Sequence, residues 1–349
     1  MPSSRTKNIA FFTRLLDDVS AADRYRLATE QIREAERLGF SSAWVAQHHF
    51  DPEEGGLPAP LVFLTHVAAN TSRIRLGTGV ITLPLEDPLR VAEDAAVLDL
   101  LSNGRLEIGL GTGGTAPTFA AFGRAIEARG QDFAVHLTKL RQAWRGEAIT
   151  ETRRLYPAAP ALDGRIWQAT FSVEGGRRAG LAGDGLMLSR TQPRPEDDPR
   201  KPLDAIQNPI IDAYLEALPE GVAPRILASR SVFVADRRQE ALDYARIGLG
   251  KAVEKFGGLV RVQAGDRLED LIAAFDSHLG TPDEVVASLA RDSALTRATD
   301  VAVQVHSIDP PHDAILRSIE LFATRVAPAL GWTHPQPQKT AALVGLRSI

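Results

Sequence analysis

The chain of 349 residues contains no cysteine. That absence excludes a disulfide framework, thiolate metal sites, iron–sulfur clusters and a cysteine nucleophile. It leaves the compartment undecided. No apolar run reaches the ~18 residues of a membrane helix, and the opening MPSSRTKNIA lacks the apolar core of a secretory signal. Basic blocks are missing too. Lys and Arg number 40 against 44 Asp and Glu, a net charge of −4, which argues against nucleic acid as the main partner. The expectation is a soluble, cytoplasmic protein with no membrane and no nucleic-acid partner.

What is present is apolar material in short, regularly spaced runs. At 44% apolar the core is ample without a metal or disulfide staple. Ile9 to Leu15 is followed by Ala28, Ile32, Ala35 and Leu38 on one helical face, and Gly39 stops that helix. Strands then fall at Ala43 to His49, Ile74 to Leu83, Leu106 to Leu110, Ile166 to Phe171, Leu186 to Leu188, Ile226 to Val234 and Val301 to Val305, with helical patterns between them. Eight strand–helix pairs predict an α/β chain folded as a (β/α)8 TIM barrel over residues 1–332. An open doubly wound sheet is the alternative, since pattern does not show closure. Pro193 to Pro209 holds five prolines, which predicts a helix-free, lid-like loop after strand six. Leu259 to Ser293 reads as an insertion before strand eight, and residues 333–349 as a tail or arm.

In such a barrel the reactive residues sit where strands end. Strand two ends in Gln47-His48-His49-Phe50. Adjacent residues on a strand point to opposite faces, and no HExxH helix exists, so no metal site is assigned. One imidazole facing the mouth would serve as a general acid–base group with a pKa near working pH; the plainer reading packs one ring and solvates the other. Strand four ends in GLGTGG, residues 109–114, a formal G-x-G-x-x-G. Thr115-Ala116-Pro117 intervenes before any helix, so the dinucleotide fingerprint fails. Its glycines either admit a flat ring or phosphate, or make a tight barrel corner. Ser172, Gly175 and Gly176 open the helix after strand five, either as an anion cradle or as an ordinary Ser cap. Strand six ends in Ser189-Arg190-Thr191 and strand eight in His306-Ser307. Phe11, Phe12, Leu57 and Phe119 suggest an apolar pocket or simply core.

Three stretches together, AWVAQHHF (43–50), IRLGTGVITLPLEDPLRVAEDAAVLDLLSNGRLEIGLGTG (74–113) and GTPDEVVASL (280–289), resemble the bacterial luciferase-like flavin-dependent monooxygenases. The resemblance implies a (β/α)8 barrel binding FMN, reduced by a separate NAD(P)H:flavin reductase, and working as a homodimer. It implies that reduced FMN and O2 oxygenate a small organic substrate through a flavin hydroperoxide. His48 matches the first His of the family's A-E-H-H-F motif beside the reacting edge of the flavin, although Gln47 replaces the acid, removing a charge partner. Gly79-Val80 matches a non-prolyl cis peptide beneath the ring. Thr112 and Gly113 match the strand end touching the ribityl phosphate; relatives carry Arg where Thr112 stands, leaving Arg129 as the candidate guanidinium. Ser172, Gly175 and Gly176 match the phosphate cradle. A deazaflavin-dependent hydride-transfer oxidoreductase and a non-catalytic partner subunit are the alternatives.

Overall fold

The computed structural model describes residues 6–332 apart from 261, 263, 264, 307 and 308. The expected tail and Ser307 therefore lie outside the described residues. Eight parallel strands form the frame: β1 (Asn8–Thr13), β2 (Ser42–Val45), β3 (Arg75–Thr78), β4 (Leu106–Gly111), β5 (Ile166–Ala169), β6 (Gly185–Leu188), β7 (Ile226–Val234) and β8 (Asp300–Gln304). Asp300 of β8 sits opposite both Asn8 of β1 and Leu227 of β7, so the ring is closed. The open-sheet alternative falls.

Around the ring lie α1 (Ala21–Arg37), α2 (Pro60–Ala69), α3 (Pro88–Leu101), α4 (Arg129–Trp144), α5 (Val173–Leu181), α6 (Leu203–Ala217), α7 (Arg238–Val260) and α8 (His312–Leu321). Local chemistry starts and stops them. Ser20 caps α1 by accepting from the Asp23 amide, and Asp87 caps α3 through the amides of Leu89 and Arg90. Ala28, Ile32 and Ala35 bury the inner face of α1. Covered on both faces, β7 is buried at all nine positions, as a parallel strand should be.

The barrel interior has its own core of Ala10, Trp44, Trp167, Met187, Leu227 and Ala302. The indoles of Trp44 and Trp167 meet edge to face at 5.6 Å. Gly77 and Gly185 make room for them, since a Cβ at either would stand 2.2 Å from the adjacent indole. Each indole N–H is satisfied, by Ser42 Oγ at 2.9 Å and by Glu107 Oε2 at 2.8 Å. Phe12, Val80 and Ala169 pack on this plug from above.

Several expectations need correction. The third apolar run is interrupted: Ile81–Thr82 pairs with β4 separately from β3, across a cis Gly79–Val80 peptide. β2 stops at Val45, so His48 and His49 lie in the following segment rather than on a strand. The proline-rich segment is helix-free only to residue 202; α6 begins at Leu203 and contains Pro209. The region before β8 begins with a long α7, then adds a helix at Leu268–Ala274 and a strand at Ser277–Gly280 that pairs with the upper half of β7. That extra partner accounts for the length of β7. No helix among the described residues is long and apolar enough to cross a membrane.

Candidate active site

The strand ends open on a cavity of about 1140 Å³. Its floor is the upper side of the barrel core, namely Phe12, Val80, Ala169, Met187 and Leu227. Of the four apolar residues flagged in sequence, Phe12 alone is among the lining residues; Phe11 and Leu57 belong to the main core, and Phe119 packs against Gly113.

His48 stands on the cavity wall. Its backbone N–H bonds the Leu57 carbonyl at 2.9 Å, and Gly55 leaves room for the ring, because a Cβ there would be 2.5 Å from Cδ2. Glu54 Oε2 is 3.7 Å from Nδ1. Burial, reinforced by the charges of Arg14, Arg190 and His49, pushes the imidazole pKa down to about 3. At neutral pH His48 is therefore an uncharged donor–acceptor, and the expectation of a pKa near working pH is wrong. His49 turns elsewhere: its ring stacks edge-on to Phe122 at 5.0 Å and its Nε2 is buried without a partner. The two rings do not converge. Among the described residues no three His, Asp or Glu side chains are grouped to hold a metal.

Gln47 has a role of its own. Its amide nitrogen donates to Glu86 Oε1 at 2.7 Å and to the Pro58 carbonyl at 3.2 Å, while its oxygen accepts from the Thr82 N–H at 2.7 Å. The side chain ties β2's exit to the segment after β3. An acid here would face Glu86 and the Pro58 carbonyl with no hydrogen to offer.

The remaining expected residues divide. Gly79 and Val80 line the cavity. Thr112 and Gly113 are half-buried at the end of β4 but are not among the lining residues; Thr115, a little further on, is. Three of the four glycines of GLGTGG have their side-chain space filled by the chain itself, Gly114 alone facing open space, which favours the corner reading. A Cβ at Gly109 would lie 2.0 Å from the Thr78 carbonyl oxygen, and Gly113, at φ +70°, abuts Thr82 and Phe119. Arg129 is exposed, donates to the Ile126 carbonyl at 2.9 Å, and is absent from the cavity wall. Ser172 caps α5 by accepting from the Gly175 N–H at 3.1 Å. Thr170 and Phe171 line the cavity, so this turn begins at the rim, although Ser172, Gly175 and Gly176 are not lining residues. Gly176 and Gly180 have a packing reason for lacking a side chain: a Cβ would meet the carbonyl oxygens of Ile210 and Tyr214 on α6 at 2.5 and 2.4 Å.

Of three further lining groups, Arg190 and His306 were named from sequence only as strand-end residues without a role, and Arg14 was missed. Arg14, directly after β1, and Arg190, just past β6, both reach the wall that carries His48. His306, after β8, is buried; its Nε2 lies 3.2 Å from Asp17 Oδ2, and its Nδ1 is without a partner. Burial alone would raise the Asp17 pKa, but the hydrogen bond and charge of His306 and the Gln31 amide outweigh it and hold it low. A strand-end position was the available signal for Arg190 and His306. Nothing local marked Arg14 as facing inward.

A family model described as luciferase-like monooxygenase matches residues 8–299. The chain belongs to that family. Among solved structures it is similar to monooxygenase RslO1 from Streptomyces bottropensis, at 25% identity and a TM-score of 0.73, over 92% of this chain and 99% of that one. The oxygenase component of a flavin-dependent trigonelline monooxygenase from Acinetobacter baylyi is 28% identical over 136 residues, 38% of each chain. An F420-dependent glucose-6-phosphate dehydrogenase from Kineococcus radiotolerans is 35% identical over 172 residues, 45% of this chain and 50% of that protein. The chain is thus similar both to proteins named as monooxygenases and to one named as an F420-dependent dehydrogenase. The wall around His48 is where this chain's own chemistry has to be read.

Proposed function

We propose that this luciferase-like protein is an FMN-dependent monooxygenase that oxygenates a small organic substrate. The observation that carries the reading is the cavity: apolar-floored, with the uncharged His48 imidazole on its wall, and larger than the ~300–1,000 Å³ of most single-ligand pockets. A flat tricyclic ring and a second small molecule fit such a space together. When bound, reduced FMN supplies the two electrons that let one atom of O2 enter the substrate while the other leaves as water.

The chain's share follows from its residues. Phe12, Val80, Ala169, Met187 and Leu227 would support the ring on one face and exclude water there. Gly79 would lie beside that ring, its lack of a side chain making room for Phe12, whose Cε2 would stand 2.9 Å from a Cβ there. The N-terminus of α5, opened by Ser172 with Gly175 and Gly176, would hold the phosphate on the first amides of the helix, since the Gly175 N–H is taken by Ser172 Oγ and the Gly176 N–H by the Ser172 carbonyl, with Thr112 and Gly113 beside it. Arg129, exposed and donating to the Ile126 carbonyl, offers this reading no support. His48, neutral and held next to Glu54, would donate or accept one hydrogen bond at the reacting edge and hold a proton there. A separate NAD(P)H:flavin reductase would deliver reduced FMN, a partner in keeping with the relative named as an oxygenase component, and the working form would be a homodimer.

The relative named as an F420-dependent dehydrogenase favours a second reading, hydride transfer with a deazaflavin on the same floor. Oxygen consumption separates the two. With reduced FMN and a substrate panel, the first predicts uptake of O2 coupled to substrate oxygenation. Substrate oxidation with reduction of the deazaflavin, and no uptake with FMN, would replace it by the second.

A further inference from the structure

We propose that Arg14 and Arg190 form an anion-binding subsite inside the cavity, and that its ligand is the carboxylate of a small organic substrate. The inference rests on reading the cavity as a site shared by flavin and substrate. It begins from how this chain treats the arginines it withdraws from water elsewhere in the fold. Arg230 has Asp292 Oδ2 at 2.6 Å, Gln207 Oε1 at 2.8 Å and the Ser229 carbonyl at 2.7 Å. Arg194 is paired with Asp276 at 2.6 Å, and Arg141 with both Asp163 and Asp184. Arg105 spends its nitrogens on carbonyls of Ala68, Thr71, Ile74 and Ser102. Each guanidinium is answered by acceptors, as burial requires.

The two cavity arginines break that pattern. Arg14 gives one hydrogen bond, to the Glu54 carbonyl, and Arg190 gives one, to Ser231 Oγ at 3.2 Å. Among the described residues neither has a carboxylate within 4.0 Å. Asp276, the acid that acts on Arg190 from a distance, is already committed to Arg194. Glu54 and Asp51 act on Arg14, but not strongly enough to offset burial. Removal from water, with Arg14 adding its charge, pushes Arg190 down to about 9, and burial brings Arg14 down to about 10. Both remain charged at neutral pH, repel each other, and keep most of their donors unspent. An oxyanion between them would accept those donors, and a planar carboxylate matches the guanidinium fork. Ser229, whose Oγ is buried and unpartnered on the same cavity wall, adds a further unsatisfied donor. The flavin phosphate is the other source of an anion. The α5 turn is the place proposed for it above, whereas the arginines share the wall of His48.

The test is equilibrium binding by calorimetry, with benzoate against benzamide and octanoate against octanamide, on wild type, Arg14→Gln and Arg190→Gln. We expect at least one carboxylate to bind ten-fold or more tighter than its amide, and either substitution to remove that preference. Riboflavin and FMN are titrated in parallel, and their affinity ratio should be the same in all three proteins. Loss of FMN affinity with riboflavin unaffected would assign the arginines to the cofactor phosphate and overturn the proposal. So would equal binding of acid and amide, or no binding of either carboxylate. Thermal unfolding guards against a folding artefact: neutralising Arg14 or Arg190 should leave Tm unchanged or raise it, while Arg230→Gln should lower it. A fall in all three alike would make the cavity arginines structural. Failure of every flavin to bind would sink the monooxygenase reading while leaving the carboxylate result interpretable.

Discussion

At His48 the imidazole shares a desolvated wall with two guanidiniums, and the consequences reach both catalysis and stability. Because its pKa falls from 6.5 to about 3, the unfolded chain binds a proton between those values that the folded protein refuses. Stability from this site is therefore full above pH ~6.5 and is lost progressively as the pH falls toward ~3. His48→Gln should accordingly lose less Tm than wild type between about pH 7 and pH 5; equal losses would contradict the assignment. In turnover, His48→Ala should lower kcat by about 10²-fold or more while FMN affinity changes little, and unchanged activity would end the role given to the ring. Gln47 offers a cleaner test of local chemistry. Gln47→Glu puts a carboxylate against Glu86 at the present 2.7 Å contact and should cost about 1–3 kcal/mol of stability by denaturant melts. Glu86→Gln in the same chain should restore most of it, a coupling that a purely steric explanation would not give. Such effects were only half legible in the sequence. The HH pair marked the site, but a charged residue such as Arg14 in a short apolar run reads as a solvated end until the barrel closes around it.

Among elements, α5 and α6 approach each other closely in backbone terms. Gly176 and Gly180, four residues apart on one face of α5, meet the carbonyls of Ile210 and Tyr214, likewise four apart. Gly180→Ala should destabilise the fold by about 1–3 kcal/mol by forcing the helices apart, measured by urea melts; a neutral result would show that α5 shifts freely. The same pair shows where pattern reading stops. Glycines opening α5 look like an anion cradle in sequence, and their helix-packing duty is visible only once α6 is known. That helix was itself obscured by proline, yet Pro209 sits inside it, costing one backbone hydrogen bond that tertiary burial of Ile210, Ile211 and Tyr214 outweighs. The strand interruption at Gly79–Val80 was hidden for the opposite reason, because the apolar run continues through it. Of the segment 193–209 expected as a lid, only the part before Leu203 is helix-free; Arg194 anchors it to Asp276 at 2.6 Å, and Ser189, Arg190 and Thr191 just before it line the cavity. Limited proteolysis should cut this loop more slowly with flavin bound, and identical cleavage in both states would count against a lid.

For the molecule as a whole, periodicity and punctuation were enough to reach eight strand–helix units in order, because each parallel strand is covered on both faces and each helix on one. Closure was not legible. It depends on Asp300 pairing with two strands far apart in sequence, a register no local signal encodes. The division of labour inside the ring follows from closure: two indoles and their glycine partners fill the lower barrel, and what they leave above is the cavity. The function proposed for this protein requires that space to admit a flavin over Phe12, Val80, Ala169, Met187 and Leu227. An anaerobic titration with reduced FMN, on wild type and on Ala169→Trp, tests this most directly. Wild type should bind one equivalent, and the variant, with an indole occupying the cavity floor, should bind at least ten-fold more weakly while melting like wild type. Undiminished FMN binding by that variant, or no binding by either protein, would contradict the account.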